Sequence, residues 1–317
     1  MLTQIENGSP AALHLLDQLF HFGGDAHLVG VTGAPGCGKS CLLNQLALQR
    51  LKTDPASWVA ILAVDPSSPF TGGALLGDRV RMRDLADDPH IFIRSMAARQ
   101  QQGGLAAATA GMVRVFEAAG YNLILIETVG SGQNDVDIAR MAHTTLVVEA
   151  PGMGDEIQAI KAGILEIADL LVINKSDLPG ADLVVLALQA RLGQGSPVRR
   201  NFTQQTASIP EPATKPQTGS LWQTPVLRTS AFSGEGIPEL LAAIEAHASH
   251  LRASGEWEQR ARVRLESEFE HALVAVIHEA MQQGENYQQM LEQLGNRKLS
   301  PRQAAKQLMR KSFTQAD

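Results

Sequence analysis

The sequence predicts an α/β fold of the P-loop NTPase class: a mostly parallel central sheet flanked by helices, with a short N-terminal helix and a C-terminal helical arm. Three observations predict it. Residues 33–40 read Gly-Ala-Pro-Gly-Cys-Gly-Lys-Ser, the Gly-x-x-x-x-Gly-Lys-Ser phosphate loop, set between an apolar run and an apolar stretch that follows. Short apolar runs occur at 59–64, 123–126, 145–148 and 170–173, and such runs read as strands buried on both faces of a parallel sheet. From about residue 251 the pattern is helical only. The expected division is an extension over 1–24, a nucleotide domain over 25–250 and an arm over 251–317.

The extension reads as a helix. Ser9 and Pro10 supply a cap and first turn, Leu13, Leu15, Leu16, Leu19 and Phe20 an apolar stripe, and Gly23-Gly24 an end. Leu28, Val29 and Val31 make the first core strand. The loop after it runs through Gly33, Ala34, Pro35, Gly36, Cys37, Gly38, Lys39 and Ser40, with Cys41 directly behind. Its glycines let backbone N–H groups turn inward around phosphate oxygens, and the helix starting near Gly38 aims its positive dipole end at the same charge. Lys39 is expected to reach the β- and γ-phosphates and the Ser40 hydroxyl to ligate Mg²⁺.

The run 59–64 ends at Asp65, an acid at the carboxyl end of a parallel strand, where ligands bind in open α/β sheets. The stretch beyond it carries Asp78, Arg79, Arg81 and Arg83. Asp65 and Asp78 are read as acids near Mg²⁺; the arginines fit a solvated helix face as readily as a site. Ile91–Ile93 is a short strand, and a helix is expected from Gly103-Gly104 to Gly120. Leu123–Ile126 then delivers Glu127 toward Mg²⁺, and Gly130 suits a loop that senses the γ-phosphate by a backbone N–H. Gln133 lies in the segment that follows. Thr145–Val148 leads to Glu149 and Asp155, then to a helical stripe bearing Lys161, for which a solvated lysine is the plain alternative.

Leu170–Ile173 ends in Asn174-Lys175-Ser176-Asp177. Asn-Lys-x-Asp at a strand end recognises guanine. The Asp177 carboxylate can accept from the ring N1–H and the exocyclic amine, which adenine cannot present together, and a polar group left unpaired by the wrong base gives the discrimination. The Lys175 stem can cover the base plane. Residues 178–192 read as a helix and 193–220 as a surface loop or linker rich in Gly, Pro, Ser, Thr and Gln. Pro225–Arg228 is the last strand, and Thr229-Ser230-Ala231 follows as the loop that backs the base. In the arm, Phe269, Leu273, Val276, Ile277 and Ala280 make one apolar stripe, Tyr287, Met290, Leu291 and Leu294 a second, and Ser300-Pro301 starts a last helix. Such an arm packs on its own core or on a second subunit, and a homodimer is expected. His247 and His250 are read as solvated.

Composition sets bounds. The 317 residues are 44% hydrophobic and 19% charged, the balance of a globular protein, and the net charge of −6 excludes a broadly basic surface for nucleic acid. Cys37 and Cys41 are the two cysteines, too few for a disulfide framework. Filler beside the loop is favoured over a metal or redox role, since no third soft ligand lies near them in sequence. The N-terminus lacks a signal-peptide pattern and no segment has the apolar length of a membrane span, so a cytoplasmic protein is expected.

Together these stretches resemble a known family. VTGAPGCGKS, AVDPSSPFTGGALLGDRVRM, FIRSMAARQQQGGLA, LIETVGSGQNDVDI, NKSD and PVLRTSAFSGEGIPEL run in order over about residues 28–245. They are similar to the GTPase chaperones of adenosylcobalamin-dependent acyl-CoA mutases, the MeaB/ArgK/MMAA type; the VDPSSPFTGGALLGDRVRM stretch discriminates, since general small GTPases do not carry it. The resemblance implies a homodimer that hydrolyses GTP to gate cobalamin loading or release and to protect a mutase, with cobalamin reached only through that partner. It implies Lys39 and Ser40 as phosphate-loop ligands, Asp65, Asp78 and Glu127 as acids around Mg²⁺ and the switch loops, and Asn174, Lys175 and Asp177 as base readers. The segment around Asp155 to Lys161 is implied as a switch loop that orders in the partner complex, where the lysine assists hydrolysis. Three departures fall at or near the switch regions: Cys41 where the family usually has Thr, RQQQGG for an Arg-Gly-His-Leu-Gly-Gly-like stretch, and GSGQND for a Gly-Val-Gly-Gln-Ser-Glu-like stretch. Two other classes share the phosphate loop. A nickel-delivering GTPase calls for additional Cys or His ligands, and a kinase gains nothing from Asn-Lys-Ser-Asp.

Overall fold

A computed structural model describes residues 1–66, 85, 88–98, 104–128, 133–152, 162–194, 221–282 and 284–314. Helices α1 (Leu2–Glu6) and α2 (Pro10–Leu19) come first. The Ser9 hydroxyl accepts from the Ala12 N–H at 3.3 Å, the cap expected from Ser9-Pro10. There follow β1 (His27–Gly33), α3 (Lys39–Thr53), β2 (Val59–Pro66), β3 (Ile91–Ala98), α4 (Gly104–Ala118), β4 (Leu123–Thr128), α5 (Gln133–Met141), β5 (Thr144–Glu149), α6 (Ala162–Ile167), β6 (Leu170–Ile173), α7 (Ala181–Gln194), β7 (Val226–Arg228), α8 (Ile237–Ser254), α9 (Glu256–Gln282), α10 (Glu285–Gly295) and α11 (Pro301–Thr314).

The seven strands form one sheet in the order β3-β2-β4-β1-β5-β6-β7, every pairing parallel. Period-2 geometry divides their side chains between two layers. Val29, Val31, Ile61, Leu125, Leu146 and Val148 bury against Leu43 and Leu46 of α3 and Leu240 and Ile244 of α8. Leu28, Ala60, Leu62, Ile124 and Ile126 bury on the other face with Met112 and Phe116 of α4 and Ile5 of α1. Because all strands run the same way, the loops after β1, β4, β5, β6 and β7 emerge at one edge, and β1 sits where the chain turns from one side of the sheet to the other.

The chain divides into compact units Met1–Arg264 and Leu265–Asp317. Within the second unit, α10 and α11 close around Met290, Ala304 and Leu308. The Ser300 hydroxyl accepts from the Gln303 N–H at 3.3 Å while Gln303 Oε1 accepts from the Ser300 N–H at 3.0 Å, a reciprocal capping box. Phe269, Leu273 and Val276 of α9 remain exposed.

The opposite edge of the sheet corrects one expectation. His247 is fully buried rather than solvated, because α8 runs back along the sheet and delivers it beneath β5 and β6. His247 Nδ1 lies 2.8 Å from Thr144 Oγ1, which also meets His27 Nε2 at 2.7 Å. His247 Nε2 is 3.4 Å from Asp169 Oδ1. Asp169 in turn accepts from the Thr145 N–H at 2.8 Å and from Arg260 at 3.0 and 3.1 Å. His143 accepts from the Leu28 N–H at 3.1 Å and stacks on Trp257 with ring centroids 3.8 Å apart. Burial, with Arg264 nearby, pushes His143 down to about 2; burial, with His247 and Arg252, pushes His27 down to about 3.

Candidate functional site

The site is built at the carboxyl edge of β1, β4, β6 and β7. Gly33 closes β1 at φ +141°, and a Cβ there would lie 1.9 Å from the Val148 carbonyl oxygen, so the loop leaves the sheet only through glycine. Gly38 precedes α3 at φ +93°, and a Cβ there would stand 2.4 Å from Asn174 Nδ2. The loop is thus pressed against the Asn174 segment by residue size. Lys39 is buried and donates to the Gly33 and Ala34 carbonyls at 2.9 and 3.2 Å. Its ammonium is held within the loop by weak neutral acceptors, which a phosphate can replace with charged ones.

Ser40 Oγ donates to Glu127 Oε1 at 2.8 Å, both side chains buried. A hydroxyl and a carboxylate from different elements converge, a pair of hard oxygen donors that fits Mg²⁺. Asp65 is the penultimate residue of β2, in register with Ala97. Cys37 is buried and Cys41 exposed; burial pushes the Cys37 thiol up to about 11, which leaves it a protonated packing group.

Asn174 ties neighbouring loops together. Its Nδ2 donates to the Cys37 carbonyl at 2.9 Å, while its Oδ1 accepts from the Ala231 N–H at 3.0 Å and from Thr229 Oγ1 at 3.3 Å. One fully buried amide therefore ties the phosphate loop to the segment that carries Ser230 and Ala231. Lys175 takes the left-handed backbone at φ 56° and donates from Nζ to the Gly36 carbonyl at 2.8 Å, so its stem bridges the same two loops. A non-glycine residue in that region is strained and persists where its surroundings fix it. Ser176 N–H donates to the Thr229 carbonyl at 3.0 Å, and the Asp177 side chain is left exposed at the rim.

The structure thus brings together Gly33, Ala34, Pro35, Gly36, Cys37, Gly38, Lys39, Ser40, Glu127, Asn174, Lys175, Asp177, Ser230 and Ala231. Gln133 opens α5. Asp78, Arg79, Gly130, Asp155 and Lys161 lie outside the described residues. Sequence reasoning passed over Asn44, a buried amide one turn beyond Ser40 in α3; four-residue spacing on a helix was the signal that could have found it. Asp25-Ala26-His27-Leu28-Val29-Gly30 has the Asp-x-His-x-x-Gly spacing of a cobalamin-ligating histidine. Here His27 begins β1 and its Nε2 is taken up by Thr144, so the string is a strand start within the polar edge.

Comparison with known proteins agrees with this geometry. The family described as methylmalonyl Co-A mutase-associated GTPase MeaB matches residues 1–289. A Pyrococcus abyssi protein named as a GTPase is 37% identical over 314 residues, 98% of this chain and 90% of that one. GTPase ArgK of Escherichia coli is 33% identical over 315 residues, 97% of this chain and 89% of that one. Among solved structures, one named LAO/AO transport system kinase superposes with a TM-score of 0.62 at 28% identity, covering 99% of this chain and 96% of that one.

Proposed function

The chain belongs to the family of methylmalonyl-CoA mutase-associated GTPases, and from that premise we propose that it binds and hydrolyses GTP to gate adenosylcobalamin loading and release on an acyl-CoA mutase, which it protects from inactivation. The observation that carries the reading is the tie made by Asn174. It couples the phosphate loop through Cys37 to the base-backing loop through Ala231, so the phosphate and guanine ends of one nucleotide are held by one amide.

The residues divide the work. Lys39 leaves the Gly33 and Ala34 carbonyls for the β- and γ-phosphates, and the loop N–H groups cradle their oxygens. Ser40, Glu127 and Asp65 would hold Mg²⁺, which when bound neutralises charge developing on the transferred phosphoryl group. Asp177 reads the guanine edge, and the Lys175 stem covers the base. Asp78, Arg79, Gly130, Gln133, Asp155 and Lys161 are assigned to reading the γ-phosphate and the partner, with Asp78, Glu127 and Lys161 assisting hydrolysis that is slow alone and stimulated by the mutase. Cobalamin belongs to the partner. The exposed stripe Phe269, Leu273 and Val276 supports a homodimer built through the arm over 251–317. No helix among the described residues is long and apolar enough to cross a membrane, and we place the protein in the cytoplasm.

Titration calorimetry in Mg²⁺ buffer tests the reading. GTP and GDP are expected to bind on the order of 10²-fold or more tightly than ATP, since a site built to pair polar edges rejects the analogue that leaves them unpaired. Comparable ATP affinity would overturn it. In the same buffer, GTP is expected to control transfer of adenosylcobalamin to methylmalonyl-CoA mutase; transfer indifferent to nucleotide would remove the gating role.

A further inference from the structure

Two carboxamides are buried beside the phosphate loop, and they are in opposite states. Asn174 has its oxygen and its nitrogen engaged by protein partners. Asn44 is only 9% exposed, and its Oδ1 is buried without a hydrogen-bond partner among the described residues. A buried acceptor left unpaired is destabilising, and in a native protein it calls for a donor that arrives with something else. Residues four apart share a helix face with Cβ atoms about 5–6 Å apart, and helical side chains lean toward the N-terminus. Asn44 therefore lies on the helix face of Ser40, whose hydroxyl meets Glu127 at 2.8 Å.

We propose that Asn44 is a positioning residue for the magnesium ion, its Oδ1 accepting a hydrogen bond from a water of the ion's shell. The proposal rests on the Mg²⁺-nucleotide reading of the site. The chemistry selects the group. Mg²⁺ dehydrates reluctantly and keeps several waters. A bound water has given its lone pair to the metal and can only donate outward, so its neighbour must be an acceptor. An uncharged carbonyl orients that water without competing for the ion as a further carboxylate would. The orphaned atom is an acceptor, it is neutral, and it lies on the Ser40 face of the same helix.

The test uses the full chain with Asn44→Leu and Asn44→Ala. Three readouts are taken: melting temperature without nucleotide, affinity for a fluorescent GDP or GTP in EDTA, and the Mg²⁺ concentration at the midpoint of metal-dependent tightening. Asn44→Leu replaces an unpaired amide by an apolar group of similar volume, so the nucleotide-free protein is expected to melt no lower than wild type. The Mg²⁺ midpoint is expected to rise about tenfold, the size typical of losing an outer-shell partner, with affinity in EDTA unchanged. Asn44→Ala gives the same midpoint shift should leucine overpack. A merely structural role gives the reverse pairing, lower melting with an unmoved midpoint, and that result overturns the assignment, as does an equal loss of affinity with and without metal. Wild-type protein that binds nucleotide with no dependence on Mg²⁺ overturns the site reading itself. Wild type that depends on Mg²⁺ alongside indifferent variants overturns Asn44 alone.

Discussion

At the amino edge of the sheet, Thr144 is hydrogen-bonded to His247, His247 lies 3.4 Å from Asp169, and Asp169 accepts from Arg260, all within the protein. At the carboxyl edge, Lys39 rests on two backbone carbonyls and Ser40 on Glu127, in bonds that a nucleotide and its metal can exchange for stronger ones. Both edges are polar, both are buried, and the same strands reach both. The difference lies in where the partners come from. A buried polar group paired with charged internal partners helps specify a fold; one paired with neutral carbonyls can trade those bonds for a ligand's. The α8 helix joins the two, starting after the loop that carries Ser230 and Ala231 and bringing His247 down to the closed edge.

The sharpest way to break this contrast is Asp169→Ala. The change takes from Arg260, a side chain only 10% exposed, its carboxylate at 3.0 Å and leaves Glu256 at 3.7 Å; breaking a buried pair from one side costs about 3–5 kcal/mol, and the remaining acid holds the loss to the lower end. Urea unfolding is expected to show a loss of that size with an unchanged slope, while nucleotide affinity of the folded fraction stays at the wild-type value. A parallel fall in affinity and stability would mean that the edges are not independent.

A smaller and continuous effect comes from pH. His27 and His143 are held neutral in the fold, at about 3 and about 2, against the 6.5 of an ordinary histidine. Above 6.5 both folded and unfolded states are neutral and the pair contributes no pH dependence. As pH falls below 6.5 the unfolded chain binds protons that the native state refuses, so stability declines, continuing toward pH 3. Two such groups give at most about 2.7 kcal/mol per pH unit. Denaturation midpoints at pH 7.5, 6 and 5 check it: the step from 6 to 5 is expected to exceed that from 7.5 to 6, and replacing both histidines by glutamine should flatten the curve. A curve unchanged by the double substitution would locate the acid sensitivity elsewhere.

The two edges were also unequally legible. The carboxyl edge could be read because its chemistry fixes residue types at fixed spacings: glycines before a lysine, an acid ending an apolar run, Asn-Lys-x-Asp. The strand runs could be read because burial on both faces leaves little but Val, Ile, Leu and Ala. The amino edge could not, because its members lie far apart in the chain, at 27, 143–145, 169, 247 and 260, and only the parallel stacking of β1, β5 and β6 assembles them. His247 looked solvated for the same reason: a histidine on a helix gives no local sign of an acid brought under it by another strand. Asn174 was expected as a base reader from its motif, whereas its tie between Cys37 and Ala231 had no sign in the sequence, because the two partners lie far from it in the chain.

Asp177→Asn sharpens the comparison from the other side, with the smallest effect on the fold. The Asp177 side chain is exposed, and substitutions at such sites usually fall within about ±0.5 kcal/mol, so the unfolding midpoint is expected to stay put. What changes is the edge presented to the base. A carboxylate accepts from both N1–H and the exocyclic amine of guanine, whereas a carboxamide offers one acceptor and one donor. The donor then faces a guanine donor, and GTP affinity is expected to fall by about tenfold or more. Xanthine presents a carbonyl where guanine has its amine, so XTP should bind the variant better than it binds wild type. A variant that keeps GTP affinity and gains none for XTP would remove Asp177 from the base edge. A variant that loses stability together with affinity would show that this rim residue supports the fold, as Asp169 does at the far edge.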